Sequence, residues 1–442
     1  MSAKDSQRAR QRSWRLATMS ASVASQVMKH KAAKWLGRSN QDSNEVYRKI
    51  GSELAQTLGQ MKGLALKAGQ VLAQIKDLLP PEIVEALSAL RHEAEPVDFS
   101  LLEPLLLKAV GRPLKEVFAE INTTAIGAAS LGQVHYARLH SGEEVAIKIQ
   151  YPEVAQYCRA DLLQLKRLAK IIGLTGINPK AIKTLINEVE WLIVQELDYR
   201  QEAETLAAFH QKSLPDWLII PKPFLTLSNA QVLVMTFEQG IPLDDFFQSE
   251  KTNSTASKKI LSTREQRSHI ANAVSRFVLA QVFDFYHIHI DPHAGNFAWR
   301  NDGNGKLVVY DFGATRKLKP EWVMKLRQLL QHIQQQQPTA IDHILLELGS
   351  RNPEHNFPVD LYKDWLELFY PVIWSQTPVK LSDLDLHHKV IQLVRAHFVE
   401  YMRSFQPVGD MLWVDRAVVG HYWNLMHLES EVNFNSILEP YV

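Results

Sequence analysis

The hydrophobic period of this chain changes near residue 121, and that change restricts its architecture more than any other feature. Upstream, Leu54, Leu58, Met61, Ala65, Ala68, Leu72 and Ile75 recur at spacings of four and three, the period of a helix with one buried face. Pro80-Pro81 ends it. Residues 82–120 also read as helical, with breaks at Pro96 and at Gly111-Arg112-Pro113. Downstream, Gly132–Leu139 and Glu144–Ile149 alternate apolar and polar residues about Ser141-Gly142, which predicts a β-hairpin. The spacing then predicts a long helix over 180–210, a buried strand over 230–236 and an apolar helix over 264–287. Two short strands flank Gly303-Asn304-Gly305, and residues 320–442 return to helical periods. A small sheet set between helical regions makes this an α+β chain.

Composition narrows the classes further. A single cysteine, Cys158, excludes a disulfide framework and a cysteine-rich metal site. No run of 18 apolar residues is present, so no transmembrane helix is expected, and residues 1–38 lack the apolar stretch of a secretory signal. Those 38 residues carry nine Lys/Arg against Asp5 alone, a charge of +8; the rest of the chain is then 40 minus 47, or −7. With apolar stripes on two sides of a helix over 14–36, this basic arm predicts contact with an anionic membrane surface. Nothing in the sequence carries a nucleic-acid-binding signature, so no nucleic-acid partner is expected. The expected location is cytoplasmic and peripheral to a membrane. An Arg- and Ser-rich start also fits a transit peptide, which leaves the mitochondrial matrix as the alternative.

Three motifs carry chemistry, in a fixed order. Val145-Ala-Ile-Lys148 lies on a predicted strand, where a lysine pairs nucleotide phosphates. His289-Ile-Asp291 is followed five residues after the aspartate by Asn296, and Asp311-Phe312-Gly313 stands 15 residues beyond Asn296, after the predicted strand Leu307–Tyr310. Phosphoryl transfer is mainly positioning and charge stabilisation, so Lys148, an acid (Asp291) beside the attacking oxygen and two Mg²⁺ ligands suffice. The amide oxygen of Asn296 and the carboxylate of Asp311 are hard donors that suit Mg²⁺. His293 stands where protein kinases carry a catalytic-loop lysine and is read as a phosphate contact or a packing residue. Two expected parts are missing: no G-x-G-x-x-G precedes the Lys148 strand, and no A-P-E follows Asp311-Phe-Gly313. Arg316-Lys-Leu-Lys-Pro320 runs almost directly into a helix, which counts against a peptide substrate.

Together with Lys67-Ala-Gly-Gln70, Ser130-Leu-Gly-Gln-Val-His135, Glu196-Leu-Asp198 and Asp291-Pro-His-Ala-Gly-Asn296, these motifs resemble the UbiB/AarF family of atypical kinases over roughly residues 10–320. The resemblance implies a protein-kinase-like bilobal fold with an added helical N-terminal region. Its parts would be a basic arm (1–50), a helical extension (51–120), a small lobe (121–240) and a helical lobe (241–442). It implies ATP and Mg²⁺ as cofactors, and ATP hydrolysis or phosphotransfer supporting ubiquinone or other prenyl-lipid metabolism at a membrane. Carried over by motif, Asp291 and Lys148 are catalytic, and Lys148 pairs with Glu202. Ala128, Ala129, Ser130 and Met235 line the nucleotide, and Asn296 and Asp311 hold the metal. Glu196 and Asp198 face Lys67 and Gln70 as a regulatory set. Independently, Gly59, Gly63, Lys67, Gln70 and Gln74 share one helix face; two glycines at about 1 kcal/mol each in a helix interior point to a docked face. Gly127 replaces the first alanine of the family's loop, Ala294 replaces a proline, and the family's C-terminal membrane pair is lacking. A protein kinase and an ATP-binding scaffold without phosphotransfer are the alternatives. An aminoglycoside- or choline-kinase-type enzyme is disfavoured by Lys67-Ala-Gly-Gln70.

Overall fold

The computed structural model describes residues 96–129, 131–172, 190–247, 263–405 and 409–442, apart from a few isolated positions. The predicted helices at 14–36 and 51–76, with Lys67 and Gln70, lie outside the described residues, as does Ser130. The chain divides into two units, residues 1–204 with 223–237, and residues 205–222 with 238–442.

In the first unit, helices α1 (Glu103–Val110) and α2 (Leu114–Val117) lead into strands β1 (Phe118–Ile121), β2 (Gly127–Ala129), β3 (Gly132–Leu139) and β4 (Glu144–Gln150). Helix α3 (Val154–Ile172) follows, then α4 (Tyr199–His210), which passes into the second unit at Thr205. The second unit also holds the short strand β5 (Leu218–Ile219), and the first is completed by β6 (Val232–Thr236). The sheet order is β1-β3-β4-β6, with β2 beside β3. Residues 118–121 are therefore a strand and not the end of a helical stretch: Phe118 and Ile121 pair with Leu139 and Ala137 of β3.

Strand β4 is buried on both faces from Val145 to Gln150. Val145, Ile147 and Ile149 join Leu102, Leu106 and Val110 in one apolar cluster. The pleat then points Ala146, Lys148 and Gln150 to the opposite face. Lys148 is in this way separated from the apolar cluster by the strand that carries it. Gly132 has a plain steric reason: a Cβ there would sit 2.2 Å from the Ile149 carbonyl oxygen across the β3–β4 pair. Two further residues of the Ser130–His135 motif are structural. The Gln133 amide accepts from the Val97 N–H at 2.9 Å and donates to the Val97 carbonyl at 3.0 Å. His135, fully buried, is held between Gln133 and the Asn122 carbonyl.

The long helix expected over 180–210 is broken. A helical segment over 190–196 ends at Leu197-Asp198, and α4 starts afresh at Tyr199. Two hydrogen bonds account for the break. The Tyr199 N–H leaves the helical pattern to donate to the Ala230 carbonyl, and Asp198 caps α4 by accepting from the Arg200 N–H at 3.1 Å. Hydrophobic spacing continues across this point, so period alone does not reveal it.

The second unit contains β7 (Ile241–Pro242), α5 (Arg264–Phe283), β8 (His287–His289), β9 (Phe297–Arg300), β10 (Lys306–Val309) and β11 (Thr315–Lys317). Helices α6 (Pro320–Gln334), α7 (Pro338–Glu347), α8 (Leu361–Ile373), α9 (Leu386–Ala396), α10 (Phe398–Ser404), α11 (Gly409–Leu428) and α12 (Phe434–Leu438) complete it. Helix α5 stops at Phe283, four residues before the predicted end; Tyr286 takes φ of 51° and the chain turns into β8. The strands form a four-stranded sheet, β5-β10-β9-β7, and a separate pair, β11-β8. Among the described residues no helix is long and apolar enough to cross a membrane.

Candidate functional site

Two groups of predicted residues come together, one in each unit. In the first, β4 presents Lys148 toward α4, and its ammonium donates to both Glu202 carboxylate oxygens at 3.1 and 2.9 Å. The two residues are 7% and 2% exposed, so the pair is held away from water. The Tyr199 ring, one helical turn before Glu202, lies 4.8 Å from the same ammonium. Motif reading overlooked Tyr199, although its i−3 spacing from Glu202 was a usable signal. Gln150, the next residue on that face of β4, donates to the carbonyls of Glu196 and Ala230, each at 3.2 Å. It ties the helix break to the sheet. Met235 is buried on β6 opposite Ala146, and Ala128 and Ala129 lie on β2, opposite Gln133 and Gly132 of β3.

In the second unit, two backbone hydrogen bonds set the loops that carry the acids and the amide. Ile290 N–H donates to the Ala314 carbonyl and Tyr310 N–H to the Asn296 carbonyl, each at 2.9 Å. They bracket Asp291 on one side and Asn296 and Asp311 on the other. The Asn296 side-chain nitrogen donates to the Asp291 carbonyl at 3.1 Å, which turns its oxygen away from that bond. One oxygen of Asp311 accepts from the Gly313 N–H at 2.8 Å. Asn296 and Asp311 are partly exposed while Asp291 is buried. The donor set, one amide and one carboxylate, both partly exposed, fits Mg²⁺, which keeps several waters and binds through few protein ligands. His293 is exposed, and its Nδ1 accepts from the Gly295 N–H at 3.1 Å, so one of its ring nitrogens serves the loop itself.

Beneath these loops the unit is apolar. Phe312, between the metal-ligand candidate Asp311 and Gly313, packs 4.8 Å from Phe209, and Phe209 stacks on His287 at 5.4 Å. The His289 N–H donates to Gln281 of α5 at 2.6 Å. Burial, assisted by Lys317, Lys212 and His289, depresses His287 to about 4. Burial, with His289 adding and Asp291 opposing, depresses His421 to about 3. Both are neutral when folded and take up protons on unfolding below the ordinary histidine value. The folded unit therefore has its full stability from this source above about pH 6.5 and loses it as the pH falls toward 4 and then 3. Lowering the pH from 7 to 5 is expected to cost about 4 kcal/mol from the two histidines together, at roughly 1.4 kcal/mol per pH unit for each. Urea unfolding at the two pH values checks this: His421→Leu should halve the pH dependence, and an unchanged dependence would refute the assignment.

A small sheet bearing a paired lysine, and a helical unit bearing an H-x-D loop, an asparagine and Asp-Phe-Gly, define a protein-kinase-like protein. The family follows from the sequence match: the ABC1 atypical kinase-like domain spans residues 89–345, more than half of the chain. The chain belongs to that family, as the UbiB/AarF motifs implied. It is 31% identical over 334 residues to the Synechocystis protein slr0889, covering 73% of this chain and 79% of that one. It is 29% identical to the mitochondrial atypical kinase COQ8 of Saccharomyces cerevisiae, over 69% of this chain and 57% of the yeast protein. The probable protein kinase UbiB of Xylella fastidiosa is also 29% identical, over 61% of this chain and 48% of its own length. The chain thus spans only about half the length of several relatives it matches. Among solved structures, Rv3197 of Mycobacterium tuberculosis, determined with erythromycin, shares the fold with a TM-score of 0.61 at 23% identity, over 90% of this chain and 97% of that one.

Proposed function

We propose that this atypical kinase-like protein binds Mg-ATP and acts as an ATPase or small-molecule phosphotransferase in ubiquinone or other prenyl-lipid metabolism at a membrane surface. The buried Lys148–Glu202 pair carries the reading: a lysine held at both carboxylate oxygens is oriented to meet nucleotide phosphates. Asn296 and Asp311 are the metal ligands in this reading, Asp291 receives the acceptor's proton, and Ala128, Ala129, Ser130 and Met235 line the nucleotide. Bound Mg²⁺ would neutralise charge on the phosphates. Lys67, Gln70, Glu196 and Asp198 are the regulatory set, and the basic arm of residues 1–50 brings the protein to anionic lipid. Only Leu318 and Lys319 separate β11 from α6, which supports a small-molecule or water acceptor over a docked peptide.

The test is phosphate release from Mg-ATP by the purified chain, with and without anionic liposomes and a prenylated phenol. Magnesium-dependent release that rises with the lipid is expected. Absence of both nucleotide binding and release under all of these conditions would overturn the reading.

A further inference from the structure

Helix α11 lies wholly beyond residues 89–345, the part of the chain matched by the kinase-like domain, and yet it meets the H-x-D loop at close range. The Asn424 side-chain nitrogen donates to the Pro292 carbonyl at 2.8 Å, a bond between residues 132 apart in sequence. A carbonyl accepts only from a donor, so this contact fixes which end of the Asn424 amide faces the loop. One turn earlier, Gly420 lies against the Pro292 ring; a Cβ at residue 420 would come to 1.9 Å from Pro292 Cγ. His421, between the two, is buried and sets its ring edge-on to Phe297, the residue after Asn296, at 5.1 Å. Farther along, the Trp413 ring lies 4.8 Å from the Arg316 guanidinium, three residues past the Asp-Phe-Gly motif.

Two successive carbonyls of the loop are thus held by amides. Asp291 is held by Asn296 from within the loop, and Pro292 by Asn424 from the C-terminal helix. We infer that α11 is a brace for the metal-binding loops, with Asn424 and Gly420 as positioning residues that keep Asp291 and Asn296 in register for Mg-ATP. This rests on the nucleotide reading above for its function, but the brace itself is a property of the metal-free chain. A glycine costs helix stability and a buried amide needs a partner, so contact with the loop accounts for both residues.

The experiment measures hydrogen exchange of the full chain without nucleotide, in the wild type, Asn424→Ala, Asn424→Asp and Gly420→Ala. Asn424→Asp keeps the side-chain shape and removes the donor, so it serves should Gly420→Ala fail to fold. Exchange of the peptide covering 290–297 is expected to quicken about tenfold, in line with the loss of one buried hydrogen bond, while α5 keeps its protection. The same variants should retain metal-free ATP affinity and lose about tenfold of the gain that magnesium confers. Wild-type protection of 290–297 in folded Asn424→Ala and Asn424→Asp would overturn the brace. Faster exchange of 290–297 in the variants, in a protein whose wild type shows no magnesium-dependent nucleotide binding, would uphold the brace and reject the nucleotide reading.

Discussion

Asp311→Asn is expected to abolish the magnesium-dependent part of ATP binding and to lower any ATP turnover by about 10²–10³-fold, equivalent to the several kcal/mol that a bound cation supplies. The substitution is close to a pure change of charge. Asp311 accepts the Gly313 N–H through one oxygen, and an asparagine oxygen can accept the same bond, so the turn before Gly313 persists. Phe312 remains packed on Phe209, and thermal stability should stay near that of the wild type. What disappears is a hard anionic donor, which Mg²⁺ requires because it dehydrates reluctantly and takes few protein ligands. Calorimetric ATP titration with magnesium and with a chelator separates the two contributions. Equal magnesium enhancement in wild type and variant would remove Asp311 from the metal site. A large fall in stability would instead assign its carboxylate a structural role.

The legible parts of this protein are those written in short windows. Strands β3 and β4 alternate over seven or eight residues around a Ser-Gly turn; Asp291 and Asn296 stand at a fixed spacing because one loop carries both, and Asp311 lies just past β10. The illegible parts depend on partners distant in sequence. The break at Leu197-Asp198 arises because the Ala230 carbonyl, outside 180–210, captures the Tyr199 N–H, with the cap residue Asp198 as its mark within that stretch. Strand β4 carries a polar stripe that looks solvent-facing, yet Lys148 and Gln150 are buried because Glu202 and two backbone carbonyls satisfy them. Asn424 and Gly420 read as ordinary members of a C-terminal helix; their counterpart, Pro292, is more than a hundred residues upstream. Gln133 and His135 carry the family motif, and their observed bonds go to Val97 and Asn122, which accounts for them by packing.

Glu202→Ala should destabilise the first unit by about 3–5 kcal/mol, because it removes the two-oxygen partner of an ammonium that is only 7% exposed. The ring of Tyr199 would remain beside it, but a cation–π contact contributes only about 1–2 kcal/mol and does not replace a two-oxygen ion pair. Lys148→Met alone should cost a similar amount, since it leaves a buried carboxylate in the same place. The double variant Lys148→Met, Glu202→Leu is the decisive member. Both charges are gone, their desolvation is no longer required, and apolar side chains of similar volume meet between β4 and α4. Its stability should return to within about 1 kcal/mol of wild type, or exceed it. Urea unfolding of the four proteins gives the coupling energy, and ATP titration of the same four gives a second comparison. Nucleotide binding should be weakened in the double variant even as its stability recovers, because no ammonium is left to meet the phosphates. Such a split means that the pair is retained for the ligand and not for the fold. A double variant as unstable as either single one would assign Lys148 and Glu202 to the architecture of the sheet and take away the observation on which the nucleotide reading stands.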